Sequence, residues 1–242
     1  MTTIILGDGP MGRAVADAAH DRGEPATILG RPTTGRHSVD ALVGADVVID
    51  ATRGEAVVGN MAAALDAGVR HLVIATTGWS ADRADVDAAL RERGVAAVAA
   101  SNFSLGVALF ARLVEVATDL FGAVDAFDPY LVEWHRRTKT DRPSGTALDL
   151  ARRLAVRHPR LASADDLETA SIRAGASPGM HLVGFDAVGE TVELRITARD
   201  RTAYAAGVLA AADWLRADER SPGLHPFDPV VDDLIHRQAV AA

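Results

Sequence analysis

The sequence contains no cysteine, a single lysine and no long apolar run. The lack of cysteine excludes disulfides, thiolate catalysis and metal sites with cysteine ligands. No apolar stretch approaches the roughly 20 residues that cross a bilayer, and no basic leader precedes the first strand pattern. We therefore expect a cytoplasmic protein without a membrane segment.

Net positive charge is lacking as well. The 242 residues carry a formal charge of −8, which argues against nonspecific binding to nucleic acid or a membrane surface, because phosphate groups would be repelled. Local basic clusters can still bind small anions. With 48% hydrophobic residues the chain is long enough for two small domains.

The single lysine stands among chemically active residue types. Of the 25 basic Lys and Arg residues, only Lys139 is lysine, and it lies in a segment that also contains His135 and Ser144-Gly-Thr146. Arginine can replace lysine as a surface charge, but it cannot release a proton near neutral pH, whereas a desolvated ammonium can. Lys139 is thus a candidate for proton chemistry; the alternative is that one remaining lysine fell there by chance.

The first hundred residues alternate short apolar segments with amphipathic ones. Continuously apolar strands separated by helices predict a parallel sheet covered on both faces. The predicted strands are 3–6, 26–29, 46–51, 71–75 and 95–99, and the predicted helices are 12–22, 55–67 and 81–93.

The pattern changes from about residue 104. We expect helices at 105–120 and 144–156, an extended segment ending at Glu133, strands at 169–174, 181–187 and 190–197, and a helix at 203–215 before a Pro- and Gly-rich tail. The last two strands alternate in polarity and are joined by Val188-Gly189. This pairing predicts an antiparallel meander.

The segment Gly7-Asp-Gly-Pro-Met-Gly12 fits G-x-G-x-x-G between the first strand and the first helix. Glycines there permit a tight turn and let backbone N–H groups approach a pyrophosphate at the positive end of the helix. We predict a dinucleotide site formed by Gly7, Gly9, Pro10, Met11 and Gly12. An ordinary Gly-rich turn is the alternative.

The end of the second strand indicates the type of nucleotide. An acid that holds the adenosine ribose hydroxyl is expected there, but the sequence reads Leu29-Gly30-Arg31. Because Arg31 could bind a 2′-phosphate, NADPH is favoured, with NADH possible. Alternatively, Arg31 is a solvated loop charge.

A second constellation surrounds Lys139. His135 lies four residues before it, a spacing that would share one face of a helix but carries less weight in a loop. Arg136 suits an anionic substrate, and a helix starting near Ser144 would offer N–H groups to a carboxylate. A solvated basic loop, with Ser144 as a simple N-cap, is the alternative.

These residues resemble 4-hydroxy-tetrahydrodipicolinate reductase, whose signature is E-x-H-H-x-x-K-x-D-A-P-S-G-T-A. The match covers Glu133, His135, Lys139, Asp141 and 143–147. Further pieces follow in the family's order and extend the resemblance over nearly the whole chain: 47–52, 75–78, 100–106, 173–175, 179–181, 189–190 and 201–207.

The resemblance implies a Rossmann-like nucleotide domain at 1–106, completed by 202–242, and a mixed-sheet domain for substrate and oligomerisation at 107–201, assembled as a homotetramer. It makes His135 a proton donor and acceptor and Lys139 a proton donor, with no metal. Substrate residues would be Arg136, Ser144, Gly145, Thr146 and Thr77. The cofactor residues outside the Gly-rich loop would be Arg31, Thr52, Ala75, Thr76, Thr77, Ala100, Ser101, Asn102, Phe103 and Arg201.

The implied reaction is NAD(P)H-dependent reduction of 4-hydroxy-tetrahydrodipicolinate, a small dicarboxylate, to tetrahydrodipicolinate in diaminopimelate and lysine biosynthesis. Some positions depart from the family. Arg136 and Thr138 replace histidines, Arg142 replaces alanine, and Arg195-Ile196 stands where a Thr-His pair is expected. Two alternatives therefore stay open: a reductase of another cyclic imine or enone carboxylate, and a non-catalytic NADP(H)-sensing homologue.

Overall fold

A computed structural model describes residues 2–32 and 36–241, the last four of these by their backbone alone. The chain forms two compact units, Met1–Leu105 with Arg201–Ala242 and Gly106–Asp200, called here the first and second unit. Within the described residues, no helix combines the length and the apolar character that spanning a membrane requires.

The elements follow the chain in a regular order. The strands are β1 (Thr3–Leu6), β2 (Ala26–Leu29), β3 (Val47–Asp50), β4 (His71–Ile74), β5 (Ala96–Ala99), β6 (Asp128–His135), β7 (Glu168–Arg173), β8 (Met180–Ala187), β9 (Glu190–Thr197) and β10 (Gly223–His225). The α-helices are α1 (Pro10–Asp21), α2 (Val57–Asp66), α3 (Arg83–Glu92), α4 (Leu105–Gly122), α5 (Gly145–Arg157), α6 (Thr202–Ala217) and α7 (Asp228–Ala241).

The first unit is built on a parallel sheet of order β10-β5-β4-β3-β1-β2. Ile4 and Leu6 pack into a core with α2 and α3. Side chains of a strand alternate between the two faces, so Ile5 points to the other face, and it is buried as well. Both sheet faces are therefore covered, and the predicted Rossmann-like α/β fold is confirmed.

The tail contains two elements that the sequence pattern did not predict. The segment after α6 contains β10, which pairs in parallel with β5, and the helix α7. A strand of three residues is too short to show a period, and Gly223 between Pro222 and Pro226 resembles loop composition. Only pairing with β5 makes this segment a strand.

The second unit contains a mixed sheet of order β7-β6-β8-β9, as predicted. β6 pairs in parallel with β7 and antiparallel with β8, and β8 and β9 form the expected antiparallel pair. Apolar residues of α4 and α5, among them Phe110 and Leu150, pack against this sheet in one core with Phe185 of β8. The sheet thus holds the ends of β6, β7 and β8 in fixed register.

Candidate functional site

The Gly-rich loop joins β1 to α1 and requires glycine at two positions. Gly7 has φ of +102°, and a Cβ there would lie 2.6 Å from the carbonyl oxygen of Ala51. A Cβ on Gly12 would lie 1.9 Å from the carbonyl oxygen of Gly7. Both glycines permit close backbone packing that other residues would prevent.

Gly9 has a different role from its neighbours. It is the N-cap of α1, Pro10 follows as the first helical residue, and a Cβ on Gly9 would meet nothing within 4 Å. The first turn of α1 contains no acidic residue. The positive end of the helix is therefore open to an anion.

A cavity of about 400 Å³ lies beside this loop. It includes the predicted residues Arg31 and Thr52 as well as Asp8 and His37, which the sequence did not suggest. The full lining is Gly7, Asp8, Gly9, Arg31, Pro32, His37, Ala51, Thr52, Arg53, Ala56 and Asn60. Size, glycine cradle and open helix end together fit a bound dinucleotide.

Buried Asp50 holds the turn after β3. Its carboxylate accepts from Thr52 N and Oγ1 at 3.0 and 2.6 Å, from Thr76 Oγ1 at 2.6 Å and from Asn60 Nδ2 at 2.9 Å. These bonds fix Thr52 at the cavity wall. Sequence reasoning missed this network, because Asn60 comes from α2 and Thr76 follows β4.

The other predicted cofactor residues follow the carboxyl ends of neighbouring strands. Ala75, Thr76 and Thr77 come directly after β4, and 100–103 come after β5. Arg201 is the N-cap of α6. In parallel sheets these ends form the edge where ligands bind, which is also the edge of the Gly-rich loop.

In the second unit, chemically active side chains meet on β6, β7 and β8. Glu133 and His135 are two residues apart on β6 and share a face. His181 lies opposite Glu133 on β8, and Arg173 lies opposite His135 on β7. Register alone therefore brings two histidines, a carboxylate and a guanidinium together.

Glu133 is completely buried. Its Oε1 accepts from Arg173 Nη2 at 2.5 Å and from the backbone N–H of Ser144 at 3.2 Å. Burial alone would raise the pKa of the Glu133 carboxyl, but the bonds from Arg173, Ser171 and Ser144 outweigh burial and lower this pKa. Glu133 thus remains an anion.

His135 is positioned by this anion. Its Nδ1 lies 2.5 Å from Glu133 Oε2, and this close approach to a carboxylate favours a proton on Nδ1. Burial lowers the pKa of His135; Glu133 opposes the shift, and Lys139 and Arg173 add to it. The imidazole is therefore mainly neutral at neutral pH, with Nε2 unprotonated. A Cβ on Gly179 would lie 3.0 Å from Nε2, so glycine leaves room there.

His181 connects this cluster to the start of α5. Ser144 is the N-cap of that helix, where its Oγ accepts from Ala147 N at 3.2 Å and lies 3.1 Å from His181 Nε2. Burial lowers the pKa of His181 to about 4, so this imidazole is neutral. A Cβ added at Gly145 would have no protein atom within 4 Å, so the start of α5 is accessible.

Lys139 and Arg136 lie in the turn after β6. His135 ends the strand, so the helical spacing of His135 and Lys139 is not realised. Lys139 Nζ lies 2.8 Å from Asp141 Oδ1, and although burial raises the pKa of Asp141, its bond to Lys139 lowers it overall. Arg136 is exposed, and its Nε donates to Thr138 Oγ1 at 3.2 Å.

Ligand atoms of Glu133, His135 and His181 lie within 4.8 Å of one another, a spacing that could hold a metal ion. Two features disfavour a cation. Arg173 already pairs with Glu133 at 2.5 Å, and Lys139 is close enough to lower the pKa of both histidines. The cluster is better described as an acid–base pair stabilised by a buried guanidinium.

Ile196 shows what one departure from the family signature does. It lies opposite His181 on β9 and packs with the core formed by α4, α5 and the sheet, whereas Arg195 is exposed. A histidine at position 196 would have stood beside His181. In this chain an apolar side chain covers that flank.

Three important residues of this cluster were not predicted as site residues: Glu133, Arg173 and His181. Each lies in a motif of the sequence resemblance, but their meeting depends on strand register between distant segments. An acid two residues before a histidine in a strand was the one local signal.

Known proteins resemble both halves of the chain. Residues 1–103 match the family model described as dihydrodipicolinate reductase, N-terminus, and residues 106–230 match dihydrodipicolinate reductase, C-terminus. The 4-hydroxy-tetrahydrodipicolinate reductase of Thiobacillus denitrificans is 39% identical, over 79% of this chain and 75% of its own length. The enzyme of that name from Chromobacterium violaceum is 37% identical over 80% and 76%.

A solved structure supports the same fold. Dipicolinate-bound dihydrodipicolinate reductase from Paenisporosarcina sp. TG-14 has a TM-score of 0.75 and 20% identity, covering 93% of this chain and 97% of that one. At this identity the likeness concerns the fold alone. With two family models matched and relatives above a third identical, the chain belongs to the dihydrodipicolinate reductase family of NAD(P)H-dependent oxidoreductases.

Proposed function

We infer that this chain reduces 4-hydroxy-tetrahydrodipicolinate to tetrahydrodipicolinate with NAD(P)H, in diaminopimelate and lysine biosynthesis. The observation that carries the inference is the Glu133–His135 pair, buried beside Lys139 and the open start of α5. It supplies a proton-handling group and a carboxylate site in one place. We assign nucleotide binding to the first unit and dicarboxylate binding to the second.

The reaction requires one proton besides the hydride. When bound, NAD(P)H supplies a hydride to the conjugated imine left after water departs from the 4-hydroxy compound. Hydride addition leaves negative charge on the ring system, and Lys139 is the proton donor that quenches it. Asp141, paired with Lys139 Nζ at 2.8 Å, orients the ammonium.

His135 completes the proton path. With Nδ1 turned to Glu133, its unprotonated Nε2 can accept a proton and pass it on, and the Glu133 anion stabilises the imidazolium formed. Glu133 is thus a positioning residue, and His135 and Lys139 are the catalytic ones.

The substrate carboxylates are bound by two kinds of group. Ser144, Gly145 and Thr146 form the start of α5, where backbone N–H groups and the helix dipole favour an anion. Exposed Arg136 replaces the family's histidine and offers a guanidinium for the second carboxylate. Thr77 is proposed as a further substrate contact.

The nucleotide is held by the Gly-rich loop and the carboxyl edge of the parallel sheet. Gly7, Gly9 and Gly12 shape the pyrophosphate cradle, while Arg31 at the cavity wall favours the 2′-phosphate of NADPH over NADH. Pro10 and Met11 are the first two residues of α1, next to this cradle. Thr52, 75–77, 100–103 and Arg201 are proposed to complete the site.

We also propose a homotetramer formed through the second unit. Trp134 and Ile172 are register partners on β6 and β7, and they are 37% and 44% exposed. Such apolar neighbours on one sheet face favour burial against another subunit. Light scattering of the purified protein would test this; a monomer at micromolar concentration would contradict it.

The decisive test of the activity is a coupled assay. A synthase supplies the condensation product of pyruvate and aspartate semialdehyde, and oxidation of NADPH is followed by absorbance. We expect turnover that depends on both synthase and this protein. Binding of NADPH without oxidation of it would reject the proposal.

The departures favour one specific alternative. Ile196 and Arg136 change the surroundings of the substrate site, which suits a relative that reduces another cyclic imine or enone carboxylate. Turnover of such a substrate, with none in the coupled assay, would identify it. A non-catalytic sensor would bind the nucleotide and reduce neither, an outcome that the retained His135 and Lys139 argue against.

A further inference from the structure

Asp8 lies in the Gly-rich loop, with its carboxylate beside Gly30. A Cβ on Gly30 would lie 3.6 Å from Asp8 Oδ2. In nucleotide-binding sheets of this type, the acid that accepts from the adenosine ribose hydroxyl stands at the end of the second strand. Gly30, directly after β2, has no such group. Asp8 therefore supplies a carboxylate to the same place from the loop that follows β1.

The surrounding cavity carries an independent sign of a ligand. His37 lines it, is 5% exposed, and its Nε2 has no hydrogen-bond partner among the described residues. An unpartnered buried nitrogen costs free energy unless a ligand atom meets it. Asp8, Arg31 and His37 thus line one cavity, and each brings a polar side chain to its wall.

Asp8 and Arg31 carry opposite charges at the wall of this cavity and favour different groups on the ribose. A carboxylate accepts hydrogen bonds from a ribose hydroxyl but repels a phosphate dianion, while a guanidinium binds that phosphate. Both side chains are exposed at the cavity wall, so neither is committed to the interior. The two residues select for opposite forms of the cofactor.

We propose that Asp8 binds the 2′-hydroxyl of the adenosine ribose and preserves the use of NADH against the preference of Arg31 for NADPH. The proposal rests on the proposed function, because it requires the first unit to bind a pyridine nucleotide. It makes Asp8 a specificity-determining residue that takes over from the missing acid at Gly30.

Direct titration of NADH and NADPH, followed by cofactor fluorescence, tests the proposal without depending on turnover. In Asp8→Asn we expect weaker binding of NADH and tighter binding of NADPH, which changes their affinity ratio by about tenfold or more. Arg31→Ala should change the ratio in the opposite direction. Asp17→Asn, the same loss of charge at an exposed position of α1, should leave the ratio unchanged.

Several outcomes would overturn the proposal. One is an unchanged ratio in Asp8→Asn while both cofactors still bind, which leaves the proposed function standing. Equal tightening of both cofactors is another, because Asp8 would then only repel the shared pyrophosphate. If the unmodified protein binds neither nucleotide, the proposed function fails and this proposal fails with it. If the asparagine variant misfolds, Asp8→Ser replaces it. This variant is checked for folding by circular dichroism and should change the affinity ratio in the same direction.

Discussion

Glu133 Oε2 and His135 Nδ1 approach to 2.5 Å at the end of β6, on one face of the sheet. The anion is itself held by Arg173, so a buried guanidinium indirectly fixes the imidazole. This arrangement assigns Glu133 both a structural and an electrostatic role, and the two can be separated by experiment.

Glu133→Gln should affect stability and pH dependence together. The variant leaves Arg173 buried without its counter-charge, so we expect a loss of about 3 kcal/mol in the free energy of unfolding. Glu133 opposes the fall in the pKa of His135, so its removal lowers that pKa further. The acid limb of kcat/KM, expected below pH 6.5, should move to lower pH.

Urea titration and a pH–rate profile measure these two effects. Glu168→Gln, an exposed position on β7, is the matched control and should change neither. A Glu133 variant that is less stable but keeps the acid limb in place would mean that the carboxylate has only a structural role.

Lys139→Arg tests proton donation directly. Arginine keeps the charge and can still pair with Asp141, but it does not release a proton at neutral pH. We expect normal folding and a loss in kcat of about a hundredfold or more, the scale of general acid catalysis. His135→Ala should show a comparable loss, and the double variant should fall short of the product of both effects.

Steady-state kinetics on the coupled substrate measure these changes. Arg137→Lys changes a cation in the same turn and serves as the control. Turnover close to that of the unmodified protein in Lys139→Arg would remove the lysine from the proton path.

Some of these features were predictable from local sequence patterns, and others were not. Continuous apolar strands, the Gly-rich loop and the cap at Ser144 are local features, and each was predicted at its place. Arg173 and His181 act on Glu133 only through the pairing of β6 with β7 and β8. No local pattern encodes that meeting, and the short strand β10 likewise exists only through its pairing with β5.

Two glycines of the loop should respond differently to alanine. In Gly12→Ala the new Cβ would lie 1.9 Å from the carbonyl oxygen of Gly7, so β1 and α1 must separate and the protein should lose stability and nucleotide binding. In Gly9→Ala the Cβ meets no protein atom within 4 Å. This variant should fold normally and bind NADPH more weakly, because the methyl group enters the cradle.

Thermal unfolding combined with NADPH titration distinguishes the two variants. Equal stability of both would contradict the packing argument, and unchanged NADPH affinity in Gly9→Ala would place the pyrophosphate elsewhere.

Arg136→Ala tests the exchange of histidine for arginine. A contact to a non-reacting carboxylate is shared by ground state and transition state, so KM should rise more than kcat falls. Because the guanidinium stays charged, this contact should not weaken on the alkaline side of the histidine pKa.

Kinetics and binding of pyridine-2,6-dicarboxylate, a flat mimic of the ring, provide the measurements. Arg142→Ala, a cation of the same exposed loop, is the control. A fall in kcat with KM unchanged would instead place Arg136 in the chemical step.

The stability of the protein should fall in mild acid because of its buried histidines. Burial lowers the pKa values of His135 and His181, the latter to about 4. Below the unfolded value of 6.5 the unfolded chain binds protons that the folded chain does not, so the free energy of unfolding decreases as pH falls. For His181 alone the loss from about pH 7 to about pH 5 is on the order of 1–2 kcal/mol.

Urea titrations at several pH values measure this slope, and His181→Asn should reduce it. Asparagine can keep a hydrogen bond to Ser144 but does not titrate, so the variant separates protonation from loss of the contact. His71→Asn, at a partly exposed histidine on β4, is the matched control for the exchange itself. A stability that stays constant over this pH range would mean that folding does not lower the pKa of His181.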